Sequence, residues 1–189
     1  MIKIAIFASG KGSNAQQIIL YFKQNNTVEI ALIVSSNEDA GVLNIAKVAE
    51  IPSIVLDKNA FLTTSYYVDF LKEKGIDFII LAGFLWKIPI NLIQAYHHKI
   101  INIHPALLPK FGGKGMYGHF VHEAVIAAKE KQSGITIHYV DEHYDHGTLI
   151  FQASCEVEEY DTPVTLADKI HLLEHAHFPA VIEKVLFKL

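Results

Sequence analysis

The chain has 189 residues, 51% of them hydrophobic and 19% charged, which is the length of one domain with enough apolar material for a core and excludes a disordered chain. Lys and Arg total 16 against 20 Asp and Glu, a net charge of -4, so no basic field is available to hold a nucleic-acid backbone. The sequence contains no arginine, so any anion site must rely on lysine or on backbone amides.

In chain order, residues 2–8 (IKIAIFA) form a short β-rich apolar run, followed by the turn Ser9-Gly10-Lys11-Gly12 and a helix over 13–25, where Ile18, Ile19 and Phe22 have helical spacing. The same alternation predicts a strand over 28–36 with a helix over 41–50, and a strand over 52–57 with a helix near 64–74. A strand over 77–83 precedes a helix near 89–96. Four βα units in succession predict a parallel sheet. A fifth strand, 99–103, leads into a Pro- and Gly-rich stretch, 104–118, longer than an ordinary βα connection and therefore read as a lid. A helix from about 119 to 131, strands over 134–141 and 148–157, and a closing helix from about 162 to 187 complete the chain. The last two strands are separated by so few residues that they predict an antiparallel hairpin. The expected fold class is α/β: one Rossmann-like domain spanning 1–189, a mostly parallel sheet with a C-terminal antiparallel hairpin and helices on both faces.

A single cysteine, Cys155, excludes an internal disulfide, the start at Met1-Ile2-Lys3 shows no signal-peptide architecture, and no apolar run approaches the ~18 residues of a membrane helix. A soluble cytoplasmic protein is expected, with Cys155 a small core residue rather than a nucleophile.

Gly10-Lys11-Gly12-Ser13-Asn14-Ala15 joins the first strand to the first helix, where backbone N–H groups and the positive helix end favour a phosphate or carboxylate. The string also fits a dinucleotide fingerprint, but the second strand ends in Ser35-Ser36-Asn37 where NAD wants an acid, and the arginine usual for NADP is absent. Nor is a glycine placed to complete a P-loop. Lys11, inside the loop, is the candidate cation for a bound phosphate. At the carboxyl end of the fifth strand, Asn102 and His104 lie two apart and share a face. An amide that donates to an oxyanion beside an imidazole that moves a proton suits acyl transfer through a tetrahedral intermediate. A carboxylate from Asp141, Glu142 or Asp145, just after the strand carrying Thr136 and His138, would orient the His104 ring and favour its imidazolium form. Spacing does not choose among the three. The 11 histidines include the pairs His119/His122, His171/His175 and His143/His146, but without an HExxH or a Cys/His set no metal is expected.

The ordered segments GKGSN, LAGFLWKIP, INIHPALLPKF and GITIHYVDEHYDHG resemble the phosphoribosylglycinamide formyltransferase family of folate-dependent enzymes over essentially the whole chain. The resemblance implies transfer of the formyl group of 10-formyltetrahydrofolate, as co-substrate, to the glycine amine of 5-phosphoribosylglycinamide in de novo purine biosynthesis. It further implies no required metal, only small-molecule partners without nucleic acid or membrane, and a monomer or homodimer. On the same resemblance, Asn102, His104 and Asp145 match the catalytic trio, and Gly12, Ser13 and Asn14 match the loop for the substrate phosphate. Glu174 matches an acid that contacts the glycinamide substrate; Leu85, Trp86, Lys87 and Ile88, with the segment from Val140 through Asp141 to Asp145, match the folate-holding stretches. The chain departs from the family pattern at Trp86, commonly Arg, at an Arg often found near Thr64, at His146, commonly Gly, and at His171, commonly Gln. The alternatives are a formyltetrahydrofolate deformylase-like hydrolase, which the expected length disfavours, and a non-catalytic nucleotide- or folate-binding module, which the presence of Asn102, His104 and Asp145 disfavours.

Overall fold

The computed structural model describes residues 1–188. The chain divides into two compact units, Met1–Ile101 and the stretch from Asn102 onward. The first carries β1 (Ile2–Ala8), α1 (Ser13–Phe22), β2 (Val28–Ser35), α2 (Gly41–Val48), β3 (Ser53–Val55), α3 (Lys58–Thr63), α4 (Tyr66–Glu73), β4 (Phe78–Leu81) and α5 (Ile90–Ala95). β5 (Ile100–His104) leads into the second, which continues with α6 (His119–Ala127), β6 (Gln132–Tyr139), β7 (Leu149–Glu156) and α7 (Pro163–Leu186).

Within the first unit β1 pairs in parallel with β2 and with β4, and β2 pairs in parallel with β3. Residues 4–8 of β1 are each at most 1% exposed, and an unbroken apolar run is what a parallel strand covered on both faces needs. In the second unit β6 and β7 run antiparallel, with Ile135 opposite Ala153 and Ile137 opposite Phe151. The α/β class, mostly parallel with a C-terminal antiparallel hairpin, is therefore the class observed.

The boundaries differ from expectation for identifiable reasons. α3 is an additional short helix, opened by Asp57, whose carboxylate accepts the Ala60 N–H at 2.7 Å, and fixed by the buried Phe61. α6 ends at Ala127, four residues earlier than the apolar pattern suggests. There Lys129 takes a left-handed conformation (φ 52°), and the N–H groups of Lys129 and Glu130 return to the carbonyls of Ile126 and Val125. This is a Schellman stop made without glycine, so the usual sequence signal is missing. Cys155 lies in β7 as expected but is half-buried rather than in the core. Among the described residues no helix is long and apolar enough to cross a membrane.

α7 packs against α6, β6 and β7. Its start is fixed by Thr162, whose hydroxyl accepts the Thr165 N–H while the Thr165 hydroxyl accepts the Thr162 N–H, with Pro163 in the first turn, where its missing N–H costs nothing. Opposite, His122 of α6 is buried, and its Nδ1 has no hydrogen-bond partner. Burial first, then the neighbouring His171, His104 and His119, push its pKa down from 6.5 to about 4. A neutral, buried histidine must be charged in acid, and the unfolded chain takes that proton first. Its contribution is complete above pH 6.5 and is lost as pH falls toward 4. His122→Gln should remove roughly 3 kcal/mol of this acid-dependent loss. Urea unfolding at pH 7 and pH 4.5 reads the difference between variant and parent; equal losses in the two proteins would show that His122 does not titrate in this window.

Candidate active site

The end of β5 and the turn after β6 bring together, in the second unit, groups that the sequence holds far apart. His104 is 3% exposed, and its Nδ1 lies 3.5 Å from Asp145 Oδ2. Asn102 Nδ2 lies 3.1 Å from His138 Nε2 and 3.5 Å from Asp145 Oδ1. Asp145 is thus the acid that faces inward, while Glu142 is exposed and Asp141 partly so. The turn achieves this by placing Asp145 in the left-handed region (φ 55°), a conformation that aspartate tolerates better than most side chains.

Residues 110–118, within the stretch expected as a lid, are hydrogen-bonded at their start. His104 Nε2 donates to the Phe111 carbonyl at 2.8 Å, and the Gly113 N–H donates to Asp145 Oδ2 at 2.9 Å. A Cβ on Gly112 would meet Leu108 Cδ2 at 2.5 Å and Asp145 Cβ at 3.3 Å, so glycine is what allows the segment to lie against the carboxylate. Behind it Thr136, fully buried in β6, donates to the Ala106 carbonyl at 2.7 Å and accepts the Leu108 N–H at 3.0 Å. Gln152 of β7 adds bonds to Thr136 Oγ1 and to the Leu108 carbonyl.

The proton positions follow from the partners. Because Nε2 of His104 faces a carbonyl it carries hydrogen, and a proton on Nδ1 is then what the Asp145 carboxylate favours. Burial opposes that second proton and dominates: the His104 pKa lies below the usual histidine value, with Asp145 and the Phe111 carbonyl pulling it back up and His138 adding to the fall. The sequence expectation of a favoured imidazolium therefore describes the effect of Asp145 alone and not the net balance. For Asp145, burial would raise the pKa, but His138, His104 and the Gly113 amide outweigh it and hold the carboxyl below its ordinary value. His138 Nδ1 donates to the Tyr139 carbonyl at 2.8 Å, and its Nε2 lies 3.1 Å from the Asn102 amide nitrogen.

His138 and Thr136 had no role assigned from the sequence. The available signal was their spacing: two apart in one strand, they share a face.

In the first unit, Gly12 precedes α1 with φ 82°, and a Cβ there would meet Val42 of α2 at 2.8 Å. The turn thus needs glycine both for its conformation and for the approach of α2, and it leaves the first amides of α1 without a side-chain cap. Asn14 is buried, Ser13 half-buried, and Lys11 exposed. Ser9, not singled out in the sequence, ties this turn to the 82–88 stretch: its N–H donates to the Gly83 carbonyl at 3.0 Å, and its Oγ accepts the Leu85 N–H at 2.9 Å. Leu85 and Lys87 are exposed, whereas Ile88 is 5% exposed and belongs to the core. Trp86 sits against Phe61 and Phe84, with ring centroids 6.0 and 6.2 Å away, and Lys58 Nζ lies 5.7 Å from its ring centre. Trp86 thus has a cation–π partner of its own rather than the reach of a guanidinium.

Glu174 is 6% exposed on α7, one turn from Ile170 and Phe178, both fully buried. Val140 is half-buried directly after β6.

Residues 2–182 match the formyl transferase family. The chain is 40% identical over 186 residues to the chloroplastic phosphoribosylglycinamide formyltransferase of Arabidopsis thaliana, covering 95% of this chain and 64% of that protein. It is 38% identical over 191 residues to the phosphoribosylglycinamide formyltransferase of Bacillus subtilis (strain 168), covering 98% and 95%. It therefore spans just under two thirds of the plant relative and nearly all of the bacterial one. The crystal structure of phosphoribosylglycinamide formyltransferase from Bacillus halodurans is similar at a TM-score of 0.88 and 41% identity, over 98% of this chain and 96% of that one.

Proposed function

The chain belongs to the formyl transferase family, and from that premise we propose that it transfers the formyl group of 10-formyltetrahydrofolate to the glycine amine of 5-phosphoribosylglycinamide. The observation that carries the reading is the set at the end of β5: an amide donor and a buried imidazole, each 3.5 Å from one carboxylate that is held below its usual pKa. The relatives similar over nearly the whole chain are named for the same reaction.

The folate supplies an activated formyl group; the chain supplies positioning and proton movement. Asn102 Nδ2 donates to the oxygen that gains charge as the amine adds to the formyl carbon. His104 delivers a proton toward the departing nitrogen, and Asp145 keeps its ring oriented. These roles use no metal and no covalent enzyme intermediate. Gly12, Ser13 and Asn14 offer amides at the start of α1 to the substrate phosphate, where the helix dipole favours an anion. Glu174 is the acid assigned to the glycinamide. Leu85, Trp86, Lys87 and Ile88, with the stretch from Val140 to Asp145, are assigned to the folate.

The test is an assay of the purified chain with both substrates and identification of the product by mass. Formylated acceptor, formed only when both are present, is expected. Release of formate at one rate with and without the acceptor would show a hydrolase, and binding without turnover would show a binding module. Lys11 gives a narrower check. As an exposed cation beside the amide turn it should contribute little at high salt, so Lys11→Ala should raise the KM for the phosphoribosyl substrate by about two- to fivefold at low ionic strength. The KM for the folate should hardly change, and unchanged values for both substrates would leave the phosphate to backbone amides alone.

A further inference from the structure

The geometry points to a divalent transition-metal site on the turn after β6, formed by Asp141, His143 and His146. One ligand atom from each lies within 4.8 Å of the others. Asp141 Oδ2 and His146 Nδ1 are 3.4 Å apart, close to the roughly 3.3 Å edge that two ligands make on a tetrahedral ion with bonds of about 2.0 Å. The same separation is long for an N–H···O hydrogen bond, which centres near ~2.9 Å. The rings of His143 and His146 lie 5.6 Å apart at 62°, edge to face, and each offers a ring nitrogen to the group. The other carboxylate oxygen, Asp141 Oδ1, accepts the His143 backbone N–H at 2.8 Å. That bond fixes the rotation of the carboxylate and leaves Oδ2 for the ion, as an outer-shell partner does in a metal site.

Two imidazole nitrogens and one carboxylate oxygen select a borderline ion such as Zn2+ or Co2+ over Mg2+ or Ca2+, which want oxygen ligands. Three protein ligands leave the fourth position to water. His146 is 77% exposed, so the ion reaches the site without any opening of the fold. An ion bridging Asp141 and His146 closes a clip across the turn that carries Asp145. The ion supplies no step of formyl transfer; it would hold the turn whose residues 140–145 are assigned to the folate.

The chain, carrying no affinity tag and stripped with a chelator, is titrated with Co2+ and then with Zn2+. One equivalent of Co2+ should bind with a visible absorption band, and Zn2+ should displace it. His143→Ala, His146→Ala and Asp141→Asn should each weaken binding by about tenfold or more. Circular dichroism checks that these loop variants remain folded. His171→Ala, which removes one ring of the separate stacked pair His171/His175, should leave binding unchanged. Zn2+ should raise the Tm of the parent and not that of His146→Ala. Binding that survives His146→Ala, that is lost with His171→Ala, or that needs about 1 mM metal would overturn the site.

Discussion

His104→Gln lowers kcat by about 10²–10⁴-fold, the range for loss of a positioned acid or base, while the KM values move far less. The expectation rests on how the ring is held. Its Nε2 donates to the Phe111 carbonyl, and its Nδ1 faces the Asp145 carboxylate, so the proton it can release is stabilised on one side and opposed by burial all round. A ring used in its acid form gives activity that falls as pH rises through its pKa. Asp145 pulls that pKa up, so removing its charge must move the falling limb to lower pH. Asp145→Asn keeps the shape and should show this shift in kcat/KM, beyond any uniform loss of rate. A limb that stays in place while His104 remains essential would mean that Asp145 positions the ring without tuning it. His104→Gln retaining near-parent kcat would remove the imidazole from the chemistry.

Much of this arrangement was legible in the sequence because it depends on local periodicity. Asn102 and His104 share a face simply because they are two apart in a strand, and β1 reads as covered because its apolar run is unbroken. The choice of Asp145 over Asp141 and Glu142 was not legible in spacing and came only from the family resemblance. It depends on a left-handed residue in one turn and on Gly112 letting a second, distant segment lie against it. Proton balance was hidden for a similar reason: whether a carboxylate or burial controls His104 is decided by how much of the chain closes around the ring, which spacing does not encode. The stop of α6 at Ala127 escaped because Lys129 does the work usually signalled by glycine.

Asn102→Ala should lower kcat by about 10²–10³-fold, the loss found when one donor to a developing oxyanion is removed. The Asn102 amide nitrogen faces His138 Nε2 at 3.1 Å, on a ring whose Nδ1 donates to the Tyr139 carbonyl. That bond takes one of the two amide hydrogens. The other points to Asp145 Oδ1 at 3.5 Å, the outer limit of a hydrogen bond, and is the one weakly enough held to turn to an oxygen that gains charge. Asn102→Asp is the sharper variant, since it keeps the side-chain volume but removes both donors and sets a second carboxylate against Asp145. Its kcat should fall at least as far as that of Asn102→Ala, whereas a merely space-filling role would be rescued. His138→Leu separates holding from donating: it frees the amide without deleting it, so its loss of kcat should be smaller than that of Asn102→Ala. If instead Asn102→Ala raises a KM and spares kcat, the amide binds substrate equally in ground and transition states, and the oxyanion role is wrong.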